Sequence, residues 1–137
     1  MGRRFAFERG TRRLIAAISV ATSVLLWEEA VMQRIAFLLR LKEGTGPAYD
    51  RDHAAVWPEM LDLLKRSGIS EYSIFRRDEL LFLTMHIEGD FDAAWDKIDR
   101  DPVNQRWQKA MGAYFVSDHG ARDGERFPMM KEVFYLP

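Results

Sequence analysis

The pattern of apolar and polar residues predicts strands and helices in alternation from residue 33 onwards. Residues 33–41 place apolar side chains alternately on one face, which is typical of a strand. Residues 47–67 carry apolar side chains three and four positions apart, which is typical of a helix. Pro58 lies inside this helical pattern and removes a backbone donor, so it predicts a kink or a helix restart.

The second half of the chain continues the same kind of pattern. Residues 71–76 and 80–88 predict two strands of a hairpin, with the turn at residues 77–79. Residues 90–100 predict a helix, and Asp101 followed by Pro102 predicts the start of another. Residues 117–126 predict a loop, and residues 132–136 predict a last short strand. This order predicts an α+β domain of the ferredoxin-like class, β-α-β-β-α-β.

The strand at residues 80–88 is partly apolar on both of its faces. Helices cover one face of a ferredoxin-like sheet. We therefore expect a second copy of the chain to cover the other face, which predicts a homodimer, the dimeric α/β barrel arrangement.

The first 31 residues differ from the rest of the chain. Five arginines within residues 1–13 precede an uncharged run at residues 14–27, as in a signal peptide. Glu8 interrupts the basic region, and no small-x-small pair follows Trp27. We expect an N-terminal extension at residues 1–31 and a domain at residues 32–137. The extension is a misassigned start ahead of Met32, a signal or anchor, or an extra helix. The expected location is the cytoplasm, with export as the alternative if the segment is a signal.

Composition and charge remove several classes of function. The 137 residues are 47% hydrophobic and 30% charged, as in one globular domain. The net charge of -1 gives no basic excess, so we expect no nucleic acid as partner. We also expect no membrane as partner, because the uncharged run at residues 14–27 is too short to span a bilayer comfortably. The absence of cysteine excludes disulfides, thiol nucleophiles and iron–sulfur clusters. The three histidines, His53, His86 and His119, lack metal-ligand spacing, so we expect no metal site.

His53 is the strongest candidate for chemistry. Tyr49 and Trp57 lie four residues before and after it, so all three are predicted to project from the same side of a helix. An imidazole with a pKa of about 6.5 can donate or accept a proton near neutral pH. The alternative is a partly buried histidine on an amphipathic helix. Tyr72 and Trp107 are either substrate contacts or core aromatics, and Gln108 would ordinarily be a solvated helix residue.

Three segments together resemble the L-rhamnose mutarotase family, and the resemblance extends from Met32 to Pro137. They are AYDRDHAAVWPEMLDLLKRSGISEYSIF at residues 48–75, DPVNQRWQKAM at 101–111 and KEVFYLP at 131–137. The resemblance implies a small dimeric ferredoxin-like domain that interconverts the α and β anomers of a 6-deoxy sugar without a cofactor. It implies that His53 is the proton donor. The sugar-contacting positions that it implies are Tyr49, Tyr72, Trp107 and Gln108.

The chain departs from this family pattern in two places. Gln108 stands where the family commonly has a second tryptophan, and residues 116–128 (VSDHGARDGERFP) replace an Asn-Pro-Asp-Asn-Ser-Pro-like run. Both departures put the preference for L-rhamnose over another sugar, such as L-fucose, in question. Two other classes of function stay open: a ferredoxin-like monooxygenase, and a domain that binds a small ligand without turnover.

The resemblance also suggests a mechanism. The imidazolium of His53 would protonate the ring oxygen as the pyranose opens. Tyr49, a bound water or a backbone carbonyl would take the proton of the anomeric hydroxyl. Trp107 would pack against the face of the sugar and exclude water.

Overall fold

The computed structural model describes residues 31–137. The elements are β1 (Met32–Arg40), α1 (Gly46–His53), α2 (Pro58–Arg66), β2 (Ile69–Arg77), β3 (Leu80–Glu88), α3 (Phe91–Arg100) and α4 (Pro102–Met111), followed by a 3-10 turn (Gly112–Tyr114). The predicted extension lies outside the described residues except for Val31. Within residues 31–137, no helix has the length and apolar character needed to cross a bilayer.

The three strands form one antiparallel sheet in the order β1-β3-β2, with β3 in the centre. Alternate residues of β3 are almost fully buried on the face that the helices cover, namely Leu81, Leu83, Met85 and Ile87. They belong to the same core cluster as Met60 of α2 and Ile98 of α3. The hairpin of β2 and β3 is confirmed, with residues 78 and 79 at its turn.

The predicted restart at Pro58 is confirmed. Trp57 adopts φ -57° and ψ 134°, the extended geometry that a residue before proline prefers. Helix α1 therefore ends at His53, and α2 begins at Pro58. The prediction that Trp57 projects from the same helix as His53 is wrong, because Trp57 lies on the extended link between the two helices.

An irregularity in β2 directs Tyr72 towards the core. Ser70 pairs with His86 and Ser73 with Thr84, so one extra residue is inserted between these pairs. Glu71 takes a positive φ of 48° at this point. A bulge of this kind exchanges the two faces of a strand. Tyr72 consequently faces the helices, on the same side as Ile74, which pairs with the buried Leu83.

The prediction of a last strand at residues 132–136 is wrong. The segment that pairs with β1 comes earlier: Leu38 N donates to Pro128 O at 3.1 Å, and Met130 N donates to Ala36 O at 2.8 Å. Residues 131–137 carry no regular secondary structure and are exposed. The alternating apolar pattern of residues 132–136 predicted a strand, but within the described chain no neighbouring strand supplies backbone partners for it.

Candidate active site

The five predicted site residues all line one cavity of about 370 Å³, here called the central cavity. It lies between α1, α4, the helix-covered face of the sheet and the segment of residues 115–127. A second cavity of about 620 Å³ lies beneath α2 and shares His53, Tyr72, Trp107 and Gln108 with the first. Both volumes suit a small ligand. The central cavity is the candidate site because it is the one that brings Tyr49 together with the other four.

His53 is held in a defined orientation at the end of α1. Its Nδ1 lies 3.0 Å from the carbonyl oxygen of Tyr49, one helical turn earlier. A carbonyl only accepts, so Nδ1 carries a proton and donates it. The other ring nitrogen, Nε2, is therefore the one that gains or loses a proton. Burial lowers the pKa of His53, while the Tyr49 carbonyl and the carboxylates of Asp52 and Asp50 act in the opposite direction.

Aromatic rings fix the position of the His53 imidazole. The ring of Tyr49 stacks on it at 3.9 Å between centroids, and Trp107 meets it edge to face at 5.4 Å. Trp57 packs edge to face against Trp107 at 5.1 Å. Trp57 therefore reaches the site from the link between α1 and α2. It packs against Trp107, which in turn packs against His53.

The two tyrosines supply neutral hydroxyls. Burial raises the pKa of Tyr49 and that of Tyr72 well above the usual value for a phenol. Both side chains are therefore protonated near neutral pH, and each hydroxyl can donate or accept a hydrogen bond. Their chemistry is suited to orienting sugar hydroxyls.

Two polar contacts hold α1 in place, and neither was predictable from the sequence. Arg76 of β2 binds Asp50 through two parallel hydrogen bonds, Nε to Oδ1 at 2.8 Å and Nη2 to Oδ2 at 2.6 Å. Tyr114 donates its hydroxyl hydrogen to Asp52 at 2.7 Å. Asp50 and Asp52 are the two residues of α1 that make these contacts. In the structure they tie the helix that carries Tyr49 and His53 to the sheet and to the 3-10 turn.

Gln108 belongs to a chain of polar side chains that crosses from α4 to α3. Its amide nitrogen donates to Asn104 Oδ1 at 3.3 Å, and Asn104 Nδ2 donates to Asp99 Oδ1 at 3.4 Å. Asn104 is buried. Asp99 in turn binds Arg126 from the loop. Gln108 thus sits at the cavity with its amide nitrogen fixed by its neighbours.

The segment of residues 115–127 forms another part of the cavity wall, and the sequence did not indicate which of its side chains line the cavity. Phe115, His119 and Arg126 line the cavity. Arg126 forms ion pairs with three carboxylates of α3, those of Asp92, Asp96 and Asp99. Its distance from α3 in sequence left no local pattern by which to find these contacts.

The arrangement can transfer protons and hold a polar ring, and its chemistry is that of neutral hydroxyls, an amide and an imidazole. Within residues 31–137, no three histidine or acidic side chains come together as metal ligands would. The fold and the site define a small ferredoxin-like α+β domain whose cavity is built from aromatic side chains around one histidine. The family model described as L-rhamnose mutarotase matches residues 34–136. The chain belongs to the L-rhamnose mutarotase family.

Individual relatives agree with this assignment. The L-rhamnose mutarotase of Opitutus terrae is 37% identical over 107 residues, which cover 77% of this chain and 99% of that protein. The L-rhamnose mutarotase of Listeria monocytogenes (strain F2365) is 34% identical over 105 residues, with the same shares of the two chains covered. The predicted family is therefore confirmed.

Solved structures confirm the predicted ferredoxin-like class. The crystal structure of an L-rhamnose mutarotase from Formosa agariphila superposes with a TM-score of 0.62 at 30% identity, covering 77% of this chain and 99% of that one. The tetracenomycin F2 cyclase of Streptomyces glaucescens superposes with a TM-score of 0.51 at 20% identity, covering 76% and 95%. The cyclase shares the fold alone.

Proposed function

We propose that this chain interconverts the α and β anomers of L-rhamnose (6-deoxy-L-mannose), with His53 as the general acid and without a cofactor. The observation that supports this most directly is the meeting of His53, Tyr49, Tyr72, Trp107 and Gln108 around one cavity. Membership of the family supports the choice of sugar.

The proposed reaction opens and recloses the pyranose ring. Protonated His53 donates the Nε2 proton to the ring oxygen as the bond between C1 and that oxygen breaks. The anomeric hydroxyl loses its proton to an acceptor, which leaves an aldehyde at C1. Rotation about C1–C2 turns the other face of the aldehyde to the C5 hydroxyl, and closure returns both protons. Each assisted transfer contributes roughly 10²–10⁴-fold.

The acceptor of the anomeric proton is a bound water or a backbone carbonyl in this proposal. Tyr49 was a third candidate, but burial raises the pKa of its hydroxyl well above the usual value. A phenol of that kind carries almost no phenolate near neutral pH. Tyr49 is therefore assigned to orienting the sugar rather than to accepting the proton.

The proposed function is tested by two-dimensional exchange NMR of L-rhamnose anomers with the unaltered protein, with L-fucose in parallel. We expect faster exchange of L-rhamnose than in buffer alone and a smaller effect on L-fucose. Faster exchange of L-fucose alone would assign the chain to another deoxysugar. Acceleration of neither sugar, with binding of L-rhamnose retained, would contradict catalysis and favour a binding domain.

We also propose that the protein is a homodimer formed through the open face of the sheet. Leu38, Phe82 and Phe75 form an apolar row across β1, β3 and β2 on the face opposite the helices. Phe75 is 60% exposed. The side chains of Val133, Phe134 and Leu136 near the C-terminus are also exposed. A contiguous apolar surface of this kind is typical of an interface.

The C-terminal segment adds to the same surface. Arg34 on the open face of β1 binds Glu132 at 2.6 Å, and its guanidinium lies 3.2 Å from the ring centroid of Tyr135. Sedimentation velocity at micromolar concentration should give a dimer for the unaltered protein and a weaker dimer for Phe75→Glu. A monomer at every concentration would contradict the proposal.

We propose residues 32–137 as the catalytic domain, because every site residue lies within them and the family model matches residues 34–136. We propose the cytoplasm as the location, supported by Glu8 within the basic region and by the lack of a small-x-small pair after Trp27. Fractionation of cells that express the full chain tests the location, and recovery outside the cytoplasm would contradict it.

A further inference from the structure

His119 lines the central cavity from the segment of residues 115–127. It lines the cavity together with His53, although 66 positions separate them in the sequence. Tyr49 stacks on His53, Phe115 meets Tyr49 edge to face at 5.8 Å, and His119 meets Phe115 edge to face at 5.7 Å. Tyr49 and Phe115 therefore link the two histidines through successive ring contacts.

Backbone contacts fix the position of His119. Leu41 and Phe115 form an isolated β-bridge, and Val116 N donates to Arg40 O at 3.2 Å. Both contacts hold the start of the loop against the end of β1. Arg40 N then donates to His119 Nδ1 at 3.0 Å.

This last hydrogen bond determines which nitrogen of His119 carries the proton. A backbone N–H only donates, so Nδ1 accepts and is unprotonated, and Nε2 carries the proton of the neutral ring. Burial lowers the pKa of His119, partly opposed by the charge of Asp118, which favours that neutral ring. His119 thus offers one fixed donor, Nε2–H, whereas His53 has Nδ1 fixed and Nε2 free to exchange its proton.

We propose that His119 is a substrate-binding residue whose Nε2–H donates a hydrogen bond to a sugar hydroxyl away from C1 and thereby contributes to the choice of sugar. The inference rests on the proposed function, since it deepens the assignment of the same cavity. A pyranose with C1 at His53 places its C2, C3 and C4 hydroxyls against other residues that line the cavity, and His119 is one of these residues. His119 lies within residues 116–128, the segment in which this chain departs from the family pattern.

Two substitutions separate the hydrogen bond that Nε2–H of His119 would donate from the hydrogen bond that its Nδ1 accepts from Arg40 N. In His119→Asn, the side-chain oxygen can still accept from Arg40 N, but the donor at the Nε2 position is lost. In His119→Gln, the longer amide places an N–H near the Nε2 position. Asp123→Asn, an exposed residue of the same loop, is the matched control.

The test measures kcat and KM for L-rhamnose and its 2-, 3- and 4-deoxy analogues by exchange NMR. With the unaltered protein, removal of one particular hydroxyl should lower kcat/KM roughly 3- to 10-fold, the effect of one neutral hydrogen bond. His119→Asn should lower kcat/KM for L-rhamnose by a similar factor, mainly through KM, and should abolish the difference between L-rhamnose and that analogue. His119→Gln should recover part of the loss, and Asp123→Asn should change nothing.

The inference would be overturned if His119→Asn left kcat/KM for L-rhamnose unchanged. It would also be overturned if, in every variant, all the deoxy analogues lost the same factor in kcat/KM relative to L-rhamnose. Both results would leave the mutarotase assignment intact. Acceleration of no sugar by the unaltered protein would overturn the proposed function. Nitrogen-15 NMR of the histidine rings gives a readout without turnover. The Nε2–H signal of His119 should shift when L-rhamnose is added, and a ring protonated at Nδ1 would contradict the inference.

Discussion

The two walls of the central cavity are built in different ways. The helical wall comprises the α1 and α4 residues Tyr49, His53, Trp107 and Gln108. The loop wall comprises Phe115, His119 and Arg126. In the helical wall, one turn of α1 places the carbonyl of Tyr49 at Nδ1 of His53. In the loop wall, His119 depends on Arg40 and Arg126 depends on α3, both distant in sequence.

This difference suggests that the two walls have different roles in the reaction and in recognition of the sugar. The helical wall lies within the segments that resemble the family and departs from their pattern at Gln108, whereas His119 and Arg126 of the loop wall lie in residues 116–128, the second departure. In our account, the helical wall holds His53, which transfers the proton, together with side chains that orient the sugar, whereas the loop wall contributes to recognition of the sugar alone. Sequence change in the loop can then alter the accepted sugar and leave the proton transfer as it was.

Replacement of His53 should have the largest effect. His53→Gln should lower kcat roughly 10²- to 10⁴-fold, because the acid for the ring oxygen is lost while the site stays polar. Anomer exchange by NMR measures the effect, and circular dichroism checks the fold. Arg51→Gln, an exposed change in the same helix, is the control. A His53→Gln variant with near-normal kcat would remove the helical wall from the chemistry.

The dependence of the anomer exchange rate on pH should follow the protonation of His53 in the helical wall and not that of His119 in the loop wall. The acid form of His53 is populated below its pKa, which burial lowers from the usual value of 6.5. The rate should therefore be highest below that pKa and should fall about tenfold per pH unit above it. Exchange rates from pH 4.5 to about 8, corrected for buffer, measure this limb. His119→Asn should show the same fall in rate above the pKa of His53. An enzymatic rate that rises with pH through the same range would instead identify His53 as the base.

The contact between Arg76 and Asp50 should have a smaller effect, acting through the position of α1. Arg76→Gln should lower kcat on the order of tenfold, because loss of the paired hydrogen bonds lets His53 shift from its working position. The melting temperature should change little, since an exposed ion pair contributes little to stability. Arg77→Gln, the exposed neighbour, should leave both unchanged. Equal kcat in both variants would show that α1 keeps its place without the contact.

Most of the fold was predictable from local signals. Pro58 marked the helix break, and Asp101 caps α4 by accepting from Val103 N at 2.9 Å. The strand at residues 132–136 was misplaced because an alternating pattern does not show whether a partner strand is available. The segment that binds β1 at Phe37 lies around Met129, which carried no such pattern.

The site was likewise predictable only in part, from local spacing and from the family resemblance. Spacing of four residues and the family resemblance led to His53 and Tyr49. The side chain of Tyr72 points towards the helices because of the bulge at Glu71, and the apolar periodicity of the strand does not reveal such a bulge. His119 was visible as a loop histidine, but its place at the cavity arises from the hydrogen bond to Arg40. Contacts between residues far apart in sequence therefore account for most of what was missed.

The most direct test of the two-wall account is the anomer exchange rate of L-rhamnose against sugar concentration, measured side by side for His53→Gln and His119→Asn. The account predicts that His53→Gln loses kcat with KM nearly unchanged, and that His119→Asn raises KM with kcat largely retained. The reverse pattern, or a loss of kcat alone in both variants, would contradict the division between a reactive helical wall and a recognising loop wall.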